Sequence, residues 1–272
     1  MARDGGKRAG GGAAAPPTVR LGAERGVTTL TLDRPDNRNA ISPVMIEELE
    51  RALAACARAA EGVVILTGAG GAFSGGMDLR AQRDAIGQSP ARHLADSRRL
   101  ARLLRALYDL PRPTIAAVNG PAIAGGCGLA TLCDFVLAAP EATFGYPEVR
   151  IGFIPAIVSV FLVRQVGERR ARELLLSGRL VGAEEALRIG LITEVVPRER
   201  LMQRARELAD SLLAHSPASL RETKALLNAA PANLDRALEA AARAGARMRR
   251  AADFREGLAA FLEKRKPVWP SR

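Results

Sequence analysis

Apolar and polar positions along this 272-residue chain alternate between a period of two and a period near 3.6. Loose alternation from Arg20 to Leu32 predicts a hairpin of two short strands turning at Glu24-Arg25-Gly26. Ser42 followed by Pro43 has the form of an N-cap and a first helical position. Leu, Ile and Met at helical spacing carry that helix to about Ala60. Unbroken apolar runs at 63–67 and 114–118, and a further run at 134–139, predict buried strands. The first two each lead into a glycine-rich loop, Gly68–Leu79 and Asn119–Gly126. The second loop opens an apolar helix from about Gly126 to Leu132. Polar residues from Arg80 to Ser97 predict a mobile segment, followed by a helix that Asp109-Leu-Pro-Arg-Pro113 ends. Beyond Phe144–Pro155, a loop with short strand character, helices are predicted near 156–166, 168–176 and 183–190. From Glu199 the chain reads as almost wholly helical, punctuated at Ser216-Pro217, Ala230-Pro231 and Gly245.

Strands alternating with helices imply an α/β class with buried strands. We divide the chain into a disordered tail at 1–17, a core at 18–198 and a helical C-terminal appendage at 199–272, suited to subunit contact. The tail lacks the apolar core of a signal peptide, and no apolar run approaches the ~18–20 residues of a membrane-spanning helix. Three cysteines without a Cys-x-x-Cys pair and only two histidines argue against a zinc site, a disulfide framework or Ser-His-Asp chemistry. They fit a reducing, cytoplasmic setting. A net charge of +11 suits an anionic partner, but of 40 basic residues only four are lysine, a skew that fits arginines spread over solvated faces.

The two glycine loops carry the candidate chemistry. Loops of this kind aim backbone N–H groups at an anion or a developing oxyanion. The N–H groups of Met77 and Gly125 are the expected pair, and together they predict chemistry on a carbonyl. Neither loop fits the dinucleotide fingerprint or the phosphate loop with its lysine. Glu148 sits in an apolar setting between two turns, where a raised pKa would let it exchange a proton near neutrality. A surface carboxylate paired with Arg150 is the plainer alternative. Asp78 and Asp134 suit helix capping or local pairing better than chemistry, and Tyr146 and Phe153 suit either an acyl pocket or core. Cys127 lies close enough to the site to be sensitive to alkylation.

Over Val19–Lys266 the chain resembles the enoyl-CoA hydratase/isomerase (crotonase) superfamily. The resemblance rests on Asp33–Ala40, Ala72–Leu79, Asn119–Asp134, Phe144–Pro155, Gly178–Pro197 and Glu256–Lys266. It implies a spiral of ββα repeats with a C-terminal helical region, assembling as a homotrimer or a dimer of trimers. It implies an acyl-CoA substrate held by the N–H groups of Met77 and Gly125, with Glu148 acting on the acyl chain. Gly76, Asp78, Gly126 and Gly128 flank these groups. Arg38 and Ala40 match the wall around the CoA adenine and phosphates, and Phe261 and Lys264 match a C-terminal pair that reaches the nucleotide. No metal or cofactor is implied, since CoA enters with the substrate. One departure stands out: Gly128 occupies the place of the second glutamate in two-glutamate hydratases. That favours a double-bond isomerase. The local wording of Gly126–Leu129 and of Glu148–Ser159 instead resembles methylglutaconyl-CoA hydratase-like bacterial proteins, where one glutamate serves hydration and Gly128 enlarges the pocket for a branched acyl group. Hydration is the first reading and isomerisation the second. An RNA-binding protein on the same scaffold is a third, which the scarcity of aromatic residues argues against.

Overall fold

The computed structural model of the chain describes residues 16–59, 62–85, 88–151 and 153–229, with isolated positions beyond 251. Residues 1–15 of the expected tail, the helical pieces after 229, Phe261 and Lys264 lie outside the described residues.

β1 (Val19–Glu24) and β2 (Val27–Leu32) form the predicted hairpin. Its two-residue turn needs positive φ at both centres, which Arg25 (49°) and Gly26 (77°) adopt. β2 continues in parallel to β3 (Val63–Gly68), β4 (Thr114–Val118), β6 (Phe135–Ala138) and β9 (Glu194–Val195), giving six strands in the order β1-β2-β3-β4-β6-β9. A second sheet joins β5 (Ala122–Ile123), β7 (Thr143–Gly145) and β8 (Leu180–Gly182).

Both faces of the large sheet are covered, which is why β3 and β4 read as continuous apolar runs. Val64, Leu66, Ala116 and Val118 face one core, shared with α1 (Pro43–Arg58), α3 (Pro90–Tyr108) and α4 (Gly125–Thr131). Val63, Ile65, Ile115 and Ala117 face the other, where α7 (Leu201–Leu213) lays down Leu201, Ala205, Ala209 and Leu212. The C-terminal region is therefore no appendage over its first helix; α7 closes the core of the sheet. α5 (Ala156–Ser177) is broken at Gly167 (φ 74°), as the two predicted helices require. α6 (Ala183–Arg188) and α8 (Pro217–Ala229) complete the described helices.

The segment at 80–97 differs from expectation. It forms α2 (Leu79–Ala85) and the first turns of α3. Ser89 caps α3 by accepting from the Arg92 N–H at 3.3 Å. Residues 91–98 are all exposed, so those turns are polar because they project beyond the core, which α3 first meets at Leu100 and enters at Leu103, Leu104 and Leu107. No described helix is long and apolar enough to cross a membrane.

Candidate active site

The two glycine loops run side by side. The N–H groups of Phe73 and Ser74 both donate to the Pro121 carbonyl at 3.1 Å, and the Ile123 N–H donates to the Ser74 carbonyl at 2.9 Å. Fully buried Asn39 ties in the loop at 33–40: its Nδ2 donates to the carbonyls of Ala69 (2.9 Å) and Ala72 (2.8 Å). Ser74 Oγ donates to the Asn39 carbonyl at 2.9 Å. These contacts bring Met77 against Gly125, where a Cβ on Gly125 would lie 3.8 Å from the Met77 sulfur. Among the described residues the N–H groups of Met77 and Gly125 meet no protein acceptor. Just before Gly125, Ala124 holds φ 51° and ψ −123°, a conformation that costs a non-glycine residue about 1–3 kcal/mol. Its N–H is fixed to the Gly145 carbonyl at 2.8 Å, which sets the direction in which α4 starts.

Glu148 lies in a 3-10 turn, Pro147–Ile151, immediately after β7 and Tyr146. It is half-buried, and its Oε2 is buried without a hydrogen-bond partner. Burial raises its pKa, against a smaller pull from its own backbone N–H. Its charge adds a small upward push to the thiol of Cys127, near the start of α4. A buried carboxylate with a raised pKa, and backbone donors left without a protein acceptor, are the groups that stabilising and reprotonating an enolate calls for.

Comparison with known proteins bears on which carbonyl chemistry this is. The Enoyl-CoA hydratase/isomerase family profile matches residues 22–272. The chain belongs to the enoyl-CoA hydratase/isomerase family. A Thermus thermophilus protein that carries an enoyl-CoA hydratase name is 45% identical over 244 residues, 89% of this chain and 96% of that protein. The 2,3-dehydroadipyl-CoA hydratase of Escherichia coli is 35% identical over 90% of this chain and 96% of its own length. The crystal structure of an enoyl-CoA hydratase from Mycobacterium smegmatis superposes with a TM-score of 0.89 at 32% identity, covering 93% of this chain and 99% of that one. The fold is thus the crotonase fold, and the chain is an enzyme of this family.

Several family-matched positions play parts other than those expected. Gly128 lines no enlarged pocket: a Cβ there would stand 2.7 Å from Cγ1 of buried Val158, with Leu104 Cδ1 at 3.9 Å. A side chain at 128 would therefore meet Val158 of α5 at its first carbon. Tyr146 is core, fully buried with its hydroxyl 3.2 Å from Thr131 Oγ1. Phe153 is exposed. Gly126 admits no side chain, since a Cβ would meet Ser74 Cβ and O at 2.6 Å, and Gly76 adopts φ 89°. Arg38 is exposed while Ala40 is buried, and both lie on the loop stitched to the first glycine loop. Asp78 accepts from Arg34, Asn37 and the N–H groups of Arg80 and Ala81. Asp134 accepts from Thr114 and Lys224. Both aspartates are engaged by the protein itself. Cys127 is fully buried and burial pushes its thiol up to about 12, so the expected sensitivity to alkylation is lost. Asn39, Ser74, Arg34 and Ala124 were not picked out by sequence reasoning. All four lie within the motifs that carry the resemblance, but their partners, the carbonyls of Ala69, Ala72, Asn39 and Gly145 and the carboxylate of Asp78, are brought near by the fold.

Proposed function

We propose that the protein hydrates the α,β double bond of an enoyl-CoA thioester, with Glu148 as its one acid/base and the N–H groups of Met77 and Gly125 holding the thioester oxygen. Ionised Glu148 takes a proton from water as the water oxygen bonds to the β-carbon. The π electrons move onto the carbonyl oxygen, where the two N–H groups receive the charge. Glu148 then returns its proton to the α-carbon on the same face, leaving one water added and the carboxylate restored. The observation that carries this reading is the buried, unpartnered Oε2 of Glu148 with its raised pKa. A carboxylate that must accept and then return a proton works best with a pKa moved toward the working pH.

A branched acyl group belongs to this reading through the resemblance of the run around Glu148 to methylglutaconyl-CoA hydratase-like proteins, and not through room at Gly128. Isomerisation is the second reading, favoured by Gly128, which brings no second carboxylate to α4. In that reaction Glu148 would move one proton between the α- and γ-carbons with no water consumed. A trimeric assembly and a CoA subsite at Arg38 and Ala40 belong to the same proposal.

Wild type and Glu148→Gln are to be offered crotonyl-CoA and 3-methylglutaconyl-CoA, with the enoyl-thioester absorbance and product masses followed. Gain of one water by wild type, and a loss of about 10²-fold or more in the variant, is expected. If no water is gained and a β,γ-enoyl-CoA becomes conjugated, the isomerase reading replaces it.

A further inference from the structure

We propose that Asp78 and Arg34 are positioning residues that aim the Met77 N–H into the site; this rests on the reading of Met77 as an oxyanion donor. A planar trans peptide points its N–H and C=O in opposite directions. The peptide carrying the Met77 N–H also carries the Gly76 carbonyl, which accepts from the Ile41 N–H at 2.8 Å. Holding that carbonyl on the Ile41 side turns the Met77 N–H the other way. The next peptide is fixed to the same residue, because the Asp78 N–H donates to the Ile41 carbonyl at 3.0 Å. The direction of the Met77 N–H therefore depends on where Ile41 sits.

Ile41 ends the loop at 33–40, and that loop is held by the Asp78 side chain. Arg34 Nη1 donates to Asp78 Oδ2 at 3.0 Å and to the Ala40 carbonyl, next to Ile41, at 2.6 Å. Asn37 Nδ2 adds a bond to Asp78 Oδ2 at 3.2 Å. The other oxygen, Oδ1, caps α2 by accepting from the Arg80 N–H at 3.1 Å. A closed circuit results: Met77 to Asp78, across to Arg34, to Ala40 and Ile41, and back to Gly76. Asp78 is 8% exposed, so its charge is shielded from water and its bonds to Arg34 and Asn37 hold geometry rather than merely decorate a surface. None of these side chains needs to touch substrate; they act through Met77.

The test reads the donor directly. 4-Dimethylaminocinnamoyl-CoA is a chromophoric thioester whose absorption moves to longer wavelength when its carbonyl oxygen accepts hydrogen bonds. At saturation, Asp78→Asn and Arg34→Gln should each show at most half the wild-type shift. Their kcat should fall by up to about 10²-fold with KM nearly unchanged, the size expected for a misplaced catalytic group. The double variant should be little worse than either single one, because both cut one circuit. Asp78→Glu should recover part of the shift. A full wild-type shift in folded Asp78→Asn, or a loss confined to KM, overturns the proposal. Should Asp78→Asn fail to fold, Arg34→Gln decides by the same readout, since it removes the Nη1 that donates to both Asp78 and the Ala40 carbonyl. A wild type that gives the shift yet hydrates nothing overturns the hydratase reading and leaves this one standing. A wild type that gives no shift removes Met77 as donor, and this proposal with it.

Discussion

Glu148 is the residue at which the proposed function and stability oppose each other. Burial makes its charged form unfavourable, so the folded protein binds that proton more tightly than the unfolded chain does. Below the ordinary glutamate range both states are protonated and nothing is lost. As pH rises through the ordinary value toward the raised one, the unfolded chain ionises first and stability falls. Glu148→Gln, which never ionises, should therefore unfold at higher urea concentration than wild type near neutral pH, with the difference vanishing in acid. Urea titrations at a series of pH values measure this; an equal gap at every pH would mean that the charge is not the cause. The kcat/KM of wild type should show an acid limb above the usual carboxylate range, absent from the residual activity of the variant. The cysteines make a simpler case. Cys56, Cys127 and Cys133 are all buried, and burial pushes Cys127 and Cys133 up to about 12. At pH 8 the native protein should show no fast-reacting thiol toward a disulfide reagent, and all three cysteines should react after denaturation. One fast thiol in the native state would contradict that burial. At this scale the free N–H groups of Met77 and Gly125 and the raised pKa of Glu148 were legible, because glycine loops and a carboxylate among apolar residues leave marks in one dimension. Asn39, Ser74 and Ala124 left none, since each works on a backbone atom that only the fold brings near.

Elements were legible where one physical cause set them alone. The hairpin, the Ser42-capped α1, buried β3 and β4, and the break of α5 at Gly167 all follow from turn chemistry, capping or unbroken apolar runs. β5 and β9, two residues each, and β8, three, have no period to read; they exist because neighbouring strands offer them partners. The first turns of α3 were misread because polarity marks solvent exposure, which a projecting helix and a loop share. The packing of α4 yields a prediction about Gly126 and Gly128. Gly126 faces the backbone carbonyl of Ser74, which cannot move without breaking the bond from Ile123. Gly128 faces one methyl of Val158, which a smaller residue would remove. Gly126→Ala should cost upward of about 3 kcal/mol, and Gly128→Ala about 1–3 kcal/mol. Only the latter should be relieved by Val158→Ala, with a favourable coupling of about 0.5–3 kcal/mol in a double-mutant cycle. Gly128→Glu should likewise fold well only beside Val158→Ala. Additive losses at 128 and 158 would show that the two do not share that volume.

Across the described residues, the large sheet is held between two cores, and α7 and α8 pack on the second. Composition alone set them apart because α7 is polar on its outer face and alanine-rich on its inner one, a pattern that suits a subunit interface as well as a sheet. The basic charge is distributed in the same way: Arg179 pairs with Glu173 and Glu185, Arg204 with Glu194, and Arg99 with Glu47 and Glu50. Such partly exposed pairs contribute about 0.2–1 kcal/mol each at most, so the docking of the C-terminal helices rests on buried contacts. For α8 the chief one is polar. Lys224 Nζ donates to Asp134 Oδ2 at 2.7 Å and to the Arg112 carbonyl at 3.0 Å, while the N–H and hydroxyl of Thr114 donate to the same carboxylate oxygen. One lysine thus joins α8 to the start of β4 and to the turn that leads from α4 into β6. Lys224→Met keeps the aliphatic stem and removes the donor. It leaves a carboxylate that is 27% exposed with its Thr114 bonds intact, so the cost should be about 1–3 kcal/mol rather than that of a fully buried unpaired charge. Asp134→Asn should destabilise by a similar amount, and the double variant by less than the sum, because the second change then breaks nothing further. Asp134 lies at the far end of α4 from Gly125, so kcat measured well below the melting temperature should stay at the wild-type value in Lys224→Met. Urea unfolding followed beside turnover distinguishes the cases: a stability loss with unchanged kcat places Lys224 in the frame alone, whereas a parallel fall in kcat would mean that α8 docking reaches Gly125 through α4.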